Sequence, residues 1–185
     1  MKSIITGLFL VTLFSGFSAS PKKIKKKLFS NKNASWLSYA GKHPFHSWRG
    51  VSKDINCVIT FNEDNAQVET VAVSAKALSF DSRNTNRDSH ALEMIEALIF
   101  PKINFTSADI TQREGMMWIK GSLNLHGVTR PVRVEAKTIV EGNQIKVEGH
   151  FPVKLSDFKI NRPSLLFVKI EEEIKVDFHF EFLTQ

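Results

Sequence analysis

The residues able to do chemistry are few. His43 and His46 stand three apart, and the run Arg87-Asp88-Ser89-His90 places another histidine beside a carboxylate and a hydroxyl. Histidines joined by a further histidine or a carboxylate are a zinc-type donor set. His43, His46 and His90, with Asp88 as an alternative third donor, therefore offer one reading: a metal-binding protein or a metal-dependent enzyme. Its geometry is poor, because residues i and i+3 of an extended segment point to opposite faces. Ser89 next to His90 is the nearest approach to a nucleophile with its base. Adjacent residues on a helix do not face each other, and no nucleophile-elbow pattern surrounds the serine. Cys57 stands alone in the alternating run Ile55, Cys57, Ile59, Phe61, where a thiol serves as a small apolar core residue. A single cysteine also excludes an intramolecular disulfide. These residue types point away from catalysis. The run 87–90 has two readings left: capping a helix, or gating a cavity and meeting a polar head group.

The elements that must carry these residues are mostly strands. Ile174, Val176, Phe178, Phe180 and Phe182 alternate with Lys175, Asp177, His179 and Glu181. The same period of two runs through Met117 to Leu125, Val132 to Thr138 and Ile145 to Leu155, and it marks strands with one buried and one wet face. Further strand-like runs cover Trp36 to Gly41, Arg49 to Phe61, Gln67 to Leu78 and Ile103 to Thr111. Arg113-Glu114-Gly115 and Glu141-Gly142-Asn143 have hairpin spacing. One segment differs. Asp88 or Ser89 caps a predicted helix whose stripe is Leu92, Ile95 and Ile99, with Met94 and Leu98 beside it, and Pro101 ends it. The sum is an all-β chain of eight antiparallel strands with one short amphipathic helix. Eight strands with exposed edges would aggregate, so closure into a barrel or pairing into a sandwich is required, and periodicity does not choose between them.

Charge and length set the outer bounds. The net charge of +6 comes from Lys2, Lys22, Lys23, Lys25, Lys26 and Lys27; from Leu28 onward 19 basic residues face 19 acidic ones. A neutral body without a clustered basic face excludes nucleic acid as a partner. Lys2, the apolar stretch Ile4 to Phe17 and the small residues Ser18, Ala19 and Ser20 have the layout of a secretory signal peptide over 1–20. Residues 21–34 read as a basic leader. Its Lys22 to Lys27 segment is either a membrane-surface tether or a solvated, flexible link. The folded domain is expected over 35–185. Fifteen Phe beside one Tyr give aromatic surface without polar handles, which requires burial.

Four segments, in order, resemble the YceI-like family of bacterial exported proteins. They are His43-Pro-Phe-His46-Ser-Trp48-Arg-Gly50 with Asp54 to Phe61; Leu78-Ser-Phe-Asp81 through His90; Phe100-Pro101-Lys-Ile103-Asn-Phe105; and Gly121-Ser-Leu-Asn-Leu-His-Gly127-Val-Thr129-Arg130-Pro131-Val132. Gly149-His-Phe151 and Leu155 to Ile160 continue the match, which covers Ser35 to the C-terminus. The resemblance implies a lipocalin-like barrel whose apolar tunnel holds a polyisoprenoid, a quinone or a fatty-acid derivative. It further implies a periplasmic or secreted location, homodimers in some members, no cofactor and no catalytic residues. On this reading the tunnel lining is Phe105, Ile119, Leu123, Val134, Val147, Phe151, Val176, Phe178 and Phe180, closed by Met94 and Leu98. His46, Trp48, Arg87, Asp88 and His90 form the mouth. Alternation alone leaves open whether these apolar residues line a space or pack on one another as an ordinary core.

Overall fold

The computed structural model describes residues 25–165 and 167–184. The signal-peptide segment and Lys22 and Lys23 lie outside the described residues. The strands are β1 (Lys25–Phe29), β2 (Trp36–His43), β3 (His46–Ser52), β4 (Ile55–Asn62), β5 (Gln67–Lys76), β6 (Lys102–Arg113), β7 (Met116–Leu125), β8 (Val128–Glu141), β9 (Gln144–Lys154), β10 (Ser164–Leu165), β11 (Val168–Lys169) and β12 (Glu173–Leu183). Ten of them form one antiparallel sheet in the order β1-β4-β5-β6-β7-β8-β9-β12-β2-β3, and β10 and β11 form a separate small hairpin. The all-β class with one helix stands. The strand number in the main sheet is corrected from eight to ten, because two strands carry no alternation that separates them from their surroundings.

The first is β1. Within the expected leader over 21–34, Lys25–Phe29 form a strand of the main sheet. Leu28 faces the core, and Lys25 and Lys26 pair with Glu69 and Glu63. A run of lysines hid a strand whose inward residue is a single leucine. The second is β3, which sequence patterning joined to β4. The chain breaks at Lys53-Asp54 and β3 pairs with β2 instead.

Closure comes from a strand that changes partners. β1 pairs with β4; then Ser30 bridges Phe182 and the Asn31 N–H donates to the Glu181 carbonyl at 2.7 Å. A tight turn follows, with the Ser35 N–H on the Asn31 carbonyl at 2.9 Å, and β2 resumes along β12. β1 and β2 are thus two halves of one strand that joins the ends of the sheet into a barrel. Register shifts at Thr60/Phe61 and Thr106/Asp109 bend β4–β5 and β6–β7, as bulges do, and help the sheet curl. β3 extends outward as a flap, tied at one point where Val51 and Asp81 exchange backbone hydrogen bonds of 3.0 Å each.

Inward residues divide the barrel into two parts. Phe61, Val68, Met117, Ala136, Ile145 and Phe182 fill one end almost without exposure. The other end carries the longer connections: residues 77–101 between β5 and β6, and 155–172 between β9 and β12. Helix α1 (Thr85–Met94) lies in the first of these. Its cap is Asn84, whose side chain accepts from the Arg87 N–H at 3.0 Å, so the expected caps Asp88 and Ser89 are inside the helix. It also stops earlier than the apolar stripe suggested. Glu96 takes a left-handed φ of 47°, and Ile95 to Ile99 continue as tight turns.

Candidate functional site

Between the filled end and α1 the barrel encloses a cavity of about 280 Å³. One water needs about 10–15 Å³ of such space, so this is no packing defect. Its wall is built by residues of nine strands, β2 to β9 and β12. Met94, Phe105, Ile119, Leu123, Val134, Val147, Phe151, Val176, Phe178 and Phe180 all line it. The phenyl rings of Phe178 and Phe180 stack at 5.5 Å along β12, and Phe182 continues the row at 6.5 Å, giving one wall a ladder of rings. Leu98 is corrected: it is 94% exposed and outside the cavity. The left-handed turn at Glu96 swings it outward, and Ala91, Leu92 and Ile95 complete the lid beside Met94.

The mouth is made by the β2–β3 flap facing α1. In that hairpin Tyr39 pairs with Gly50 and Gly41 with Trp48. Each ring lies over its partner glycine so closely that a Cβ on Gly50 would fall 2.3 Å from Tyr39 Cε1, and one on Gly41 2.3 Å from Trp48 Cζ2. The two glycines therefore let two large rings lie flat at the edge of the cavity. Phe80 meets Tyr39 edge-on at 5.7 Å and extends the platform. Tyr39, Phe80 and Leu37 line the cavity and were missed by sequence reading, because their place depends on hairpin register rather than on alternation.

The charged run 87–90 borders this platform. Arg87 donates through Nε to Ser82 Oγ and through Nη2 to the Ser82 carbonyl, both at 2.9 Å, and its guanidinium stands 5.9 Å from the Trp48 ring. Both Asp88 carboxylate oxygens accept from the Ser82 N–H at 3.2 Å. These two residues thus fix the turn into the lid while bordering the cavity. Burial pushes the Tyr39 phenol above its ordinary range, with Asp88 adding to the shift and Arg87 and the Trp48 hydrogen bond opposing it. The phenol stays neutral, as an apolar rim needs. His90 reaches the rim from the exposed side of α1.

The histidines do not assemble into a donor set. His43 and His46 face each other across the β2–β3 turn, with rings 5.4 Å apart, rather than pointing to opposite faces as extended spacing implied. His43 is buried; its Nδ1 accepts from the Phe45 N–H and its Nε2 donates to the Val168 carbonyl at 3.2 Å. Both nitrogens are therefore engaged with backbone. The His46 ring is tilted against Trp48 at 5.5 Å and does not line the cavity. Among the described residues no three His, Cys, Asp or Glu side chains gather to hold a metal ion. Cys57 is a buried wall residue, and burial pushes its thiol well above the usual range, so it is a poor nucleophile.

A barrel with this flap and lid has known counterparts. The family model for the YceI-like domain matches residues 30–182, nearly the whole sheet. The chain belongs to the YceI-like family. It is 31% identical over 170 residues to Protein YceI of Escherichia coli O6:H1, covering 86% of this chain and 88% of that one. Protein YceI of Salmonella newport is 29% identical over 169 residues, with the same coverage. Among solved structures, BcnA of Burkholderia cenocepacia superposes with a TM-score of 0.75 at 19% identity, over 82% of this chain and 98% of that one. A polyisoprenoid binding domain from Saccharophagus degradans gives 0.68 at 12% identity, over 86% and 98%. At these identities the structural likenesses are likenesses of fold. Within this YceI-like chain, the segments that carry the resemblance map onto the flap (His43 to Gly50), the lid (Leu78 to His90) and the β7–β8 turn with its following strand (Gly121 to Val132).

Proposed function

We propose that the protein binds one long, apolar, isoprenoid-like molecule inside the barrel and sequesters or carries it without altering it. The observation that supports this most is the composition of the cavity wall: ring and aliphatic side chains from nine strands and the lid, with charged groups only at the mouth. Each CH₂ removed from water contributes about 0.8 kcal/mol, so a hydrocarbon chain needs no charged grip. Arg87, Asp88 and Tyr39 at the rim suit a small polar head. The family's polyisoprenoid-binding structural relative fits the same chemistry. The one thiol of the wall, Cys57, has its ionisation pushed up by burial, which suits a binding wall better than a nucleophile. The N-terminal 20 residues support export, to a periplasmic or secreted location, where a carrier would move lipid between membranes.

The test is organic extraction of the purified protein followed by mass spectrometry, run beside metal analysis. One equivalent of a long-chain apolar molecule is expected, with no stoichiometric zinc. Leu123→Asp and Phe178→Asp variants that still fold should yield none, because an unpaired carboxylate in the wall is costly. Full recovery of the molecule from both folded variants would show that the cavity is not its site.

A further inference from the structure

The two ends of the barrel differ in what they show to solvent. In an antiparallel meander alternate connections lie at alternate ends. Residues 63–66, 114–115 and 142–143 cap the filled end and are polar: Glu63-Asp64-Asn65, Glu114-Gly115, Gly142-Asn143. The connections at the lid end are the β2–β3 turn, residues 77–101, the β7–β8 turn and residues 155–172. Ten large apolar side chains are exposed among the described residues, and six of them, Phe45, Leu78, Leu98, Ile99, Phe167 and Val168, are in these lid-end connections. The other four sit singly on strands, which is ordinary. Apolar residues concentrated on the loops at one end are not, because water opposes such exposure.

Two of these tips are joined. Buried His43 donates to the Val168 carbonyl at 3.2 Å, while its ring lies 5.1 Å from that of Phe45. The β2–β3 turn and the β10–β11 hairpin are therefore neighbours, with one phenyl ring exposed on each. Phe167 is fully exposed in a left-handed conformation, φ 65°, which is unfavourable for a bulky residue. The pair also adjoins the cavity: Pro163 and Ile170, at the base of the hairpin, line it, as does Trp48, reached from His43 through His46. The exposed cations Lys159, Arg162 and Lys169 flank the hairpin.

We propose that this end of the barrel docks on a lipid bilayer with anionic head groups. Phe45 and Phe167 enter the acyl boundary, and Lys159, Arg162 and Lys169 meet the phosphates. Exposed aromatic tips beside basic residues suit such an interface, and the carboxylates Glu171 and Glu172 at the base of the hairpin are engaged by Lys42 and Lys154. The surface is distinct from the Lys22 to Lys27 segment, of which Lys25 and Lys26 are paired to carboxylates. It stands on exposure and charge, whatever the cavity holds. It would place the cavity mouth against the membrane.

The purified protein is floated with vesicles of phosphatidylcholine alone and of equal parts phosphatidylcholine and phosphatidylglycerol. Binding is expected to the mixed vesicles and to fall with salt. A Phe45→Ser/Phe167→Ser double variant should partition about tenfold less or weaker still, given what burial of each ring contributes. Both positions are exposed, so its melting temperature should match the parent. Phe167→Trp, read as the difference from the parent's emission, should be quenched by vesicles with brominated acyl chains. Unchanged partitioning of the double variant, or an unquenched Phe167→Trp on bound vesicles, would overturn the proposal. So would a double variant that turns a dimer into a monomer while vesicle binding persists, since a second copy would then be the occupant. The readout is partitioning and not extracted lipid, so vesicle binding is expected even of a protein whose cavity is empty.

Discussion

At the scale of single residues, the cavity depends on what its wall lacks. Cys57 is the one thiol, and burial raises its ionisation above the ordinary range. Alkylating reagents at mildly alkaline pH are expected to leave it unmodified in the folded protein and to label it fully in denaturant. The sign of its effect on stability follows. A thiol whose folded value is raised supports the fold below the unfolded thiol's pKa, and that support fades as pH climbs beyond it. Labelling of the folded protein at the denatured rate would place Cys57 outside the wall. The mouth makes a second residue-scale prediction. Gly50→Val must push Tyr39 aside, since even a Cβ falls 2.3 Å from its ring. Overpacking of that kind costs about 1–3 kcal/mol. The melting temperature should fall and bound lipid should leave faster, measured by transfer to acceptor vesicles. Alternation made the wall legible, because Ile119, Leu123, Val147 and Phe178 each sit at an inward position of a clean period of two. Tyr39 and Phe80 were not legible, because nothing local marks a ring that lies over a glycine on the next strand.

At the scale of elements, the lid and the closing strand matter most. His126 sits in the β7–β8 turn with φ 51°, its Nδ1 2.9 Å from the Phe158 carbonyl and its Nε2 2.7 Å from Glu96. The ring thus bridges a backbone carbonyl of one connection and a carboxylate of the other. Phe100 packs edge-on against it at 5.2 Å. This contact pins the segment after α1 to the barrel rim. His126→Ala should cost about 1–3 kcal/mol, as loss of hydrogen bonds to a charged partner does. Amide exchange over residues 95–100 should quicken while β7 and β8 stay protected; unchanged exchange there would show the lid is held by packing alone. The early end of the helix was illegible for a related reason. Leu92, Ile95 and Ile99 keep helical spacing, and only the tie between Glu96 and His126, far apart in the chain, shows where the backbone turns. β1 was hidden by its lysines. If it is a true member of the barrel, Leu28→Ala should destabilise the fold by about 2–5 kcal/mol in denaturant titrations. A change near zero would return residues 25–29 to the status of a leader.

At the scale of the whole molecule, the fold is a barrel filled at one end, hollow at the other, and covered there by a lid and a flap. Its all-β class and the hairpin turns between β6 and β7 and between β8 and β9 were readable, since one wet and one dry face per strand marks each strand; the partners of β1 and β3 were not, because they are set by contacts far apart in the chain. Its hollowness was not. The same inward Phe, Val and Leu residues could have met across the axis, and the difference is set by barrel width and by a lid that rests on the rim instead of dropping inside. The direct test of the central claim is a titration of lipid-depleted protein with isoprenoid alcohols of increasing length, followed by intrinsic tryptophan fluorescence. Affinity should climb steeply with each added isoprene unit and then level off once the cavity of about 280 Å³ is full. Affinity that does not depend on chain length, or no saturable binding to the folded protein, would contradict an oil-like interior as the binding site.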